Sequence, residues 1–297
     1  MLNISARQLE IFVSIVTEGS ARAAAEQLHL TQPAVSLALS ELERHLGGPL
    51  FARVRGRLRL NDRGREIVSL AREVLERMRD LQQRAAGEAR ELAGNLRLGA
   101  SNTVGNYLVG ELLGRFTREH PQVTVQLHVG NTRGIVAAVR AHAMDVGCVE
   151  GPVVHADLEV HPWRRDMLVV CAPQKHPLAR KSRLQAADFA GAHWIVREQG
   201  SATRAQTERI LATLPPGETV LELDQIEAIK QAVIAGLGIA CLPAVAVENA
   251  ARAGRLKVLE TPFLDLERRL SLVLDRATYH GALITAFMAC TKVAGTA

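Results

Sequence analysis

The spacing of apolar positions changes along the chain, and each change suggests a new element. Val35, Leu39, Leu42 and Leu46 recur at the helical period and form one stripe. Thr31 is a good N-cap, and Pro33 sits in the first turn where its missing N–H costs nothing, so a helix is predicted from about Gln32. Upstream, Leu9, Phe12, Val13 and Val16 predict an amphipathic helix, and the Ala-rich stretch 21–28 a short one that a neighbour can cross closely. Away from its stripe the Gln32 helix carries Gln32, Ser36, Leu37, Ser40 and Arg44. Two short helices joined by a tight turn, the second with a hydrogen-bonding outer face, describe a helix-turn-helix whose recognition helix enters the major groove. Gln and Ser side chains reach base edges there, and Leu37 suits a thymine methyl.

Beyond Pro49 the period falls to two. Arg53, Arg55, Arg57 and Arg59 alternate with Val54, Gly56, Leu58 and Leu60, which predicts a small β-wing turning near Gly56. The arginines of 53–65 face a single carboxylate, Asp62, and suit phosphate contacts that fix register without reading sequence. From 62 to 92 the chain predicts one long helix. Ile67, Ala71, Val74, Met78, Leu81 and Ala85 repeat as in a coiled-coil seam. Such a seam packs either on its own domain or on a second copy. Dimerisation is favoured, because a helix-turn-helix normally works in pairs on two half-sites. Gly94 and Asn95 then read as a hinge.

Strands and helices alternate afterwards. Strands are predicted at 96–100, 123–129, 145–149, 167–171, 194–196, 219–223, 237–242 and 270–274. Helices are predicted at 105–120, 132–142, 202–214 and 225–235, after Pro243, and at 279–293. This order argues a mostly parallel α/β architecture, in one sheet or two. Ligands bind outside the carboxyl ends of such strands. Three junctions there are rich in donors: Ser101, Asn102 and Thr103; Asn131 and Thr132; and Arg197, Gly200, Ser201 and Thr203. Together they make a cradle for a small carboxylate, phosphate or other oxyanion, although N-capping alone explains any single one as well.

A length of 297 residues allows two or three units, and the net charge of +5 favours a polyanionic partner without proving one. Cys148, Cys171, Cys241 and Cys290 lie far apart and read as buried, reduced thiols, with redox sensing the minority reading. No leader and no membrane-spanning apolar run is visible, so a cytoplasmic protein is expected. Enzyme readings are weak. Gly236 and Gly238 lack the third glycine of a dinucleotide fingerprint, and Ser201 lacks a nucleophile elbow. His155 and His161 fit a solvated loop better than a metal site.

The residues of 7–64 resemble the winged helix-turn-helix of LysR-type transcriptional regulators. RQLEIF, GS before an AAE-x-L helix, LTQPAVS, LE-x-x-LG, PLF-x-R and LN-x-x-G occur in the family's order. Ala21, Leu37 and Asn61 depart from its usual residues: Leu37 bears on base preference, and the other two on packing and capping. Further on, ASNTVGNY, VGNT, VEG and RE-x-GS-x-TR are similar to effector-domain signatures of the branch that regulates Calvin-cycle and sulfur genes.

The resemblance implies an α+β winged helix-turn-helix at 1–61 and a linker helix at 62–93. An α/β two-lobed, periplasmic-binding-protein-like effector domain would follow at 94–297. Lobe I would hold about 94–162 and 268–297 and lobe II about 163–267, the chain crossing near His161 and returning near Glu267. It also implies a homodimer or homotetramer on promoter DNA, with RNA polymerase as a further partner and no cofactor. A small anionic co-inducer or co-repressor between the lobes would change the angle between paired DNA-binding domains.

Overall fold

The computed structural model describes residues 3–54, 57–85 and 91–294. The chain divides into two units, Met1–Glu91 with Thr278–Ala282, and Leu92–Ala277 with Leu283–Ala297.

The first unit opens with α1 (Ala6–Glu18), started by a capping box between Ser5 and Gln8 and stopped by Gly19 at φ 73°. Ser20 caps α2 (Ala21–Gln27), and Thr31 caps α3 (Gln32–Leu46) by accepting from the Ala34 N–H at 3.4 Å. Gly47, at φ 81°, ends α3 in the left-handed region that a side chain disfavours. Val35, Leu39 and Leu42 are buried against Phe12 and Ile15 of α1 and the small Ala24 and Ala25 of α2. The inner stripe is therefore the core of a helix-turn-helix, as its spacing predicts. Strands β1 (Phe51–Val54) and β2 (Arg57–Leu60) pair antiparallel, with Val54 opposite Arg57, and form the wing.

Helix α4 (Asp62–Ala85) begins at Asn61, whose amide donates to the Pro49 carbonyl at 2.8 Å and whose Oδ1 accepts from the Gly64 N–H at 2.7 Å. Asn thus does the capping here. Gly64 approaches the Leu50 carbonyl so closely that a Cβ would lie 2.1 Å from its oxygen. The seam divides differently from the expectation. Val68, Ala71 and Leu75 are buried on the unit's own core, whereas Leu70, Val74, Met78 and Leu81 stay exposed. Expected seam members Ile67 and Ala71 thus belong to the intramolecular face. Tyr279, in the short segment that joins this unit, donates its hydroxyl to Asp80 at 2.6 Å.

The second unit holds two lobes that share one long strand. In lobe I, β3 (Ala93–Ser101) lies between β4 (Gln122–Gly130) and β5 (Val146–Glu150), all parallel. Strand β6 (Leu158–Pro173) runs through both lobes. Its first part pairs antiparallel with β11 (Glu267–Asp275), which also pairs with β5. From Leu168 onward β6 pairs antiparallel with β9 (Ala240–Pro243) and β10 (Leu256–Leu259) instead. Parallel β7 (His193–Arg197) and β8 (Glu218–Leu223) complete lobe II, and Trp194 bridges to Ile239.

Three expectations are corrected. The architecture is mixed rather than mostly parallel, because the two strands that link the lobes run side by side in opposite directions. Pairing changes partners at Met167–Leu168, later than the crossing expected near His161. Gly94 and Asn95 lie inside β3, paired with Val123 and Thr124, so the expected hinge residues are strand. Pro162 opposes Ser271 where the register slips, which is where a residue without an N–H is tolerated.

Helices α5 (Val109–Glu119), α6 (Thr132–Arg140) and α10 (Ala282–Ala294) belong to lobe I, and α7 (Ala202–Leu211), α8 (Ile226–Ile234) and α9 (Ala244–Arg252) to lobe II. A π-helical turn, Val104–Leu108, precedes α5. Phe116 of α5 meets Phe287 of α10 edge-on in the lobe I core, with ring centroids 5.3 Å apart. Among the described residues no helix is long and apolar enough to cross a membrane.

Candidate functional sites

The outer face of α3 is open. Gln32, Pro33, Ser36, Leu37, Ser40 and Arg44 are all exposed, and Leu37 is a large apolar side chain at 63 % exposure with no core to enter. A solvated row of amide, hydroxyl and guanidinium groups around one apolar residue has the chemistry of a major-groove surface. The backbone places Arg53 in β1 and Arg57 in β2, on the paired wing strands. Arg55 lies outside the described residues.

The second site lies at the carboxyl ends of β3, β5 and β7. Arg268, at the start of β11, is 6 % exposed and ties the lobes together. Its Nη2 donates to Thr103 Oγ1 at 3.0 Å, and its Nη1 to Thr203 Oγ1 at 2.8 Å and Glu150 Oε2 at 3.3 Å. Its Nε donates to Asp166 Oδ2 at 2.7 Å. Glu150 accepts the Thr103 N–H at 2.8 Å and the Thr203 hydroxyl at 3.4 Å. Burial alone would raise the Glu150 pKa. Arg268, the Thr103 hydroxyl and N–H, and Arg197 outweigh burial and hold the carboxyl below the ordinary range.

Asn131 and Ser201 are N-caps, accepting from the N–H groups of Gly134 at 2.9 Å and Arg204 at 3.3 Å. Thr132 donates to the Glu150 carbonyl at 3.3 Å, and Asn102 to the Gly130 carbonyl at 3.3 Å. The loops of the two lobes touch where the Arg133 N–H donates to the Gly200 carbonyl at 3.1 Å. Gly200, at φ 95°, has room for no more: a Cβ would lie 3.2 Å from that of Arg133.

Among the described residues of this site, two buried groups remain without a partner. Ser101 Oγ and Arg197 Nη1 make no hydrogen bond, although Ser101 is 1 % and Arg197 2 % exposed. The other two guanidinium nitrogens of Arg197 engage Glu198 at 2.7 and 3.0 Å. Desolvated donors left unpaired are costly, and a hydroxyl and a guanidinium together suit an oxyanion. Grooves of about 710 and 500 Å³ lie elsewhere on lobe II, around Ser182 and Phe263 and along 259–267. They lack this donor set.

Arg268 and Asp166 were not singled out as site residues, and Glu150 and Glu198 entered only within the VEG and RE-x-GS-x-TR signatures. One signal for Arg268 existed, since it continues the two-residue repeat of Leu270 back along β11. Burial pushes the thiols of Cys148, Cys171 and Cys241 up to about 12, far from a neutral-pH thiolate.

A winged helix-turn-helix with an open outer face, followed by a two-lobed domain with buried donors between its lobes, defines a ligand-responsive DNA-binding regulator. Residues 6–65 match the bacterial regulatory helix-turn-helix of the lysR family, and residues 89–294 the LysR substrate binding domain. The chain belongs to the LysR family of transcriptional regulators. It is 39 % identical to the HTH-type transcriptional regulator YeiE of Escherichia coli K12, covering 91 % of this chain and 90 % of that one. It is 34 % identical to CbbR of Sinorhizobium medicae, over 93 % and 90 % of the two chains. The Synechocystis CcmR regulatory domain, solved in complex with 2-PG, superposes with a TM-score of 0.63 at 28 % identity, covering 68 % of this chain and 98 % of that one. The likeness to regulators of the Calvin-cycle branch is that of the sequence signatures.

Proposed function

We propose that this regulator works in the cytoplasm as a homodimer or homotetramer whose paired α3 helices occupy successive major grooves, and that a small anion seated between the lobes sets the geometry of the pair. The observation that carries the ligand class is the pair of buried, unpartnered donors, Ser101 Oγ and Arg197 Nη1. Asn102, Thr103, Asn131, Thr132, Gly200, Ser201 and Thr203 shape the cleft around them. The CcmR complex with 2-PG supports a small-molecule ligand for a domain of this kind. A ligand shifts the assembly only through unequal affinity for its two arrangements, so binding and DNA response must vary together. RNA polymerase is the partner that would read the change.

A thermal-shift screen of small carboxylates, phosphates and sulfur oxyanions tests the ligand class, a hit being an anion that raises the Tm and alters operator binding. Ser101→Ala should leave the unliganded stability unchanged or raise it by about 1 kcal/mol, since a desolvated hydroxyl disappears, while weakening the response to that anion about fivefold. Wild-type response in this variant would place the ligand elsewhere.

On the DNA side, Gln32→Ala and Ser36→Ala should lower operator affinity by about 1–3 kcal/mol while leaving binding to random DNA nearly unchanged. Titrations on both DNAs at one salt concentration decide it, and equal losses on the two would contradict base reading.

A further inference from the structure

We infer that Glu198 is a built-in competitor for the ligand: its carboxylate holds the edge of Arg197 that an incoming oxyanion would take, and swings out to solvent when the ligand arrives. This rests on the reading of the cleft as an anion site.

The contact has the geometry of a bound carboxylate. Glu198 accepts from Nε and Nη2 of Arg197 at 2.7 and 3.0 Å, the two-point pairing by which a guanidinium recognises a ligand carboxylate. The two halves of this pair differ in freedom. The Arg197 side chain is 1 % exposed and is fixed at the end of β7, whereas that of Glu198 is 20 % exposed. An outward rotation therefore takes the carboxylate into water, where it needs no partner. Arg204, the next cation along the chain and in the first turn of α7, is already committed to Glu208 at 2.7 Å, Glu222 at 2.8 Å and the Arg197 carbonyl at 2.7 Å.

The neighbouring ion pair shows the contrast. Arg268 spends its guanidinium on Thr103, Thr203, Glu150 and Asp166; Glu150 is buried with it, and the Asp166 side chain is only 9 % exposed. That network is a fixture, and the Arg197 pair is the one with a movable half.

Charge counting points the same way. Arg197 acts on Glu150, so the two ion pairs share one field. Glu150, Asp166 and Glu198 already oppose Arg197 and Arg268, while Arg133 on the facing loop is exposed and screened by water. An added anion would bring a further negative charge into a low-dielectric site that already has an excess. Expelling Glu198 removes one carboxylate and frees the two-point edge together with Nη1. Affinity in the wild type is then set by exchange of one carboxylate for another, which favours ligands that engage Arg197 at more than one oxygen.

The test uses the full chain with sulfate as the probe, its Tm followed against sulfate concentration at constant ionic strength. Glu198→Gln should bind sulfate about tenfold more tightly than wild type. Glu198→Ala should do the same and covers the chance that glutamine keeps the contact. Arg197→Lys should lose the sulfate response. Glu198 variants that match or fall below the wild type, with Arg197→Lys insensitive, would overturn the competitor and leave the anion site standing. A normal response in Arg197→Lys, or no sulfate response in any variant, would overturn both.

Discussion

Arg268→Met is expected to destabilise the two-lobed unit by about 3–5 kcal/mol, because it leaves Glu150 and Asp166 buried without their cation. Methionine fills much of the same space, so the loss reports charge rather than a cavity. The effect should appear as a fall in Tm of about 10 °C for a unit of this size, read by calorimetry on the full chain. Adding Glu150→Gln and Asp166→Asn should recover most of it. A loss below about 1 kcal/mol would show that water reaches the network and screens its charges.

The pH dependence has a defined sign. The folded-state pKa of Glu150 lies below its unfolded value, so its contribution is complete above the unfolded carboxylate pKa and is lost as pH falls through the folded one. The gap between wild type and Arg268→Met should therefore narrow in acid, and stop widening only above the pKa that Glu150 takes in the variant, which loss of the cation raises.

Val74→Glu combined with Met78→Glu is expected to abolish dimerisation and lower operator affinity at least a hundredfold, while each copy still folds. Both side chains are exposed, at 44 % and 41 %, on the flank of α4 beside the buried Val68, Ala71 and Leu75. In the proposed dimer, the exposed row of Leu70, Val74, Met78 and Leu81 would supply the contact surface. Two carboxylates there stay solvated in the monomer but repel in the dimer. Losing the partner removes the second half-site from one binding event, so the loss of affinity exceeds any single contact. Light scattering and operator titration on the same sample check it. A variant that stays dimeric with unchanged affinity would assign pairing to another surface.

Legibility followed burial. The stripe of α3 was readable because apolar residues recur at the helical period chiefly where one face of a helix is buried, and its outer face followed by subtraction. The first half of β6 was not readable, since Glu159, His161, Arg164, Arg165 and Asp166 look like a loop until β11 is known to lie beside them. Strand β10 was missed for a similar reason, being four residues between charged neighbours. Spacing alone could not divide the α4 seam, because periods of 3.5 and 3.6 residues differ by only about 20° per heptad. Ala71 turned toward the core and Leu70 away from it.

The cleft was half legible. Ser101, Thr103, Arg197, Ser201 and Thr203 could be found because strand ends lead into helix starts, and the structure brings Thr103 and Thr203 onto one guanidinium. Arg268 carried only the faint signal of the two-residue repeat, because a charge at the edge of an apolar strand reads as surface unless its partners are known. Asn131 and Ser201 cap α6 and α7, which is the bland reading of each junction, and a ligand role for them belongs to the proposed anion site.

In the proposed assembly the open face of α3 reads base pairs and is delivered twice. Hydroxyl-radical footprinting of the full-length protein on its own promoter region measures this directly. Protection is predicted on one face of the duplex at two half-sites about 34 Å, or a multiple of that, apart, lost on random DNA and altered by the anion that raises the Tm. Continuous, sequence-independent protection that salt erases equally everywhere would contradict it.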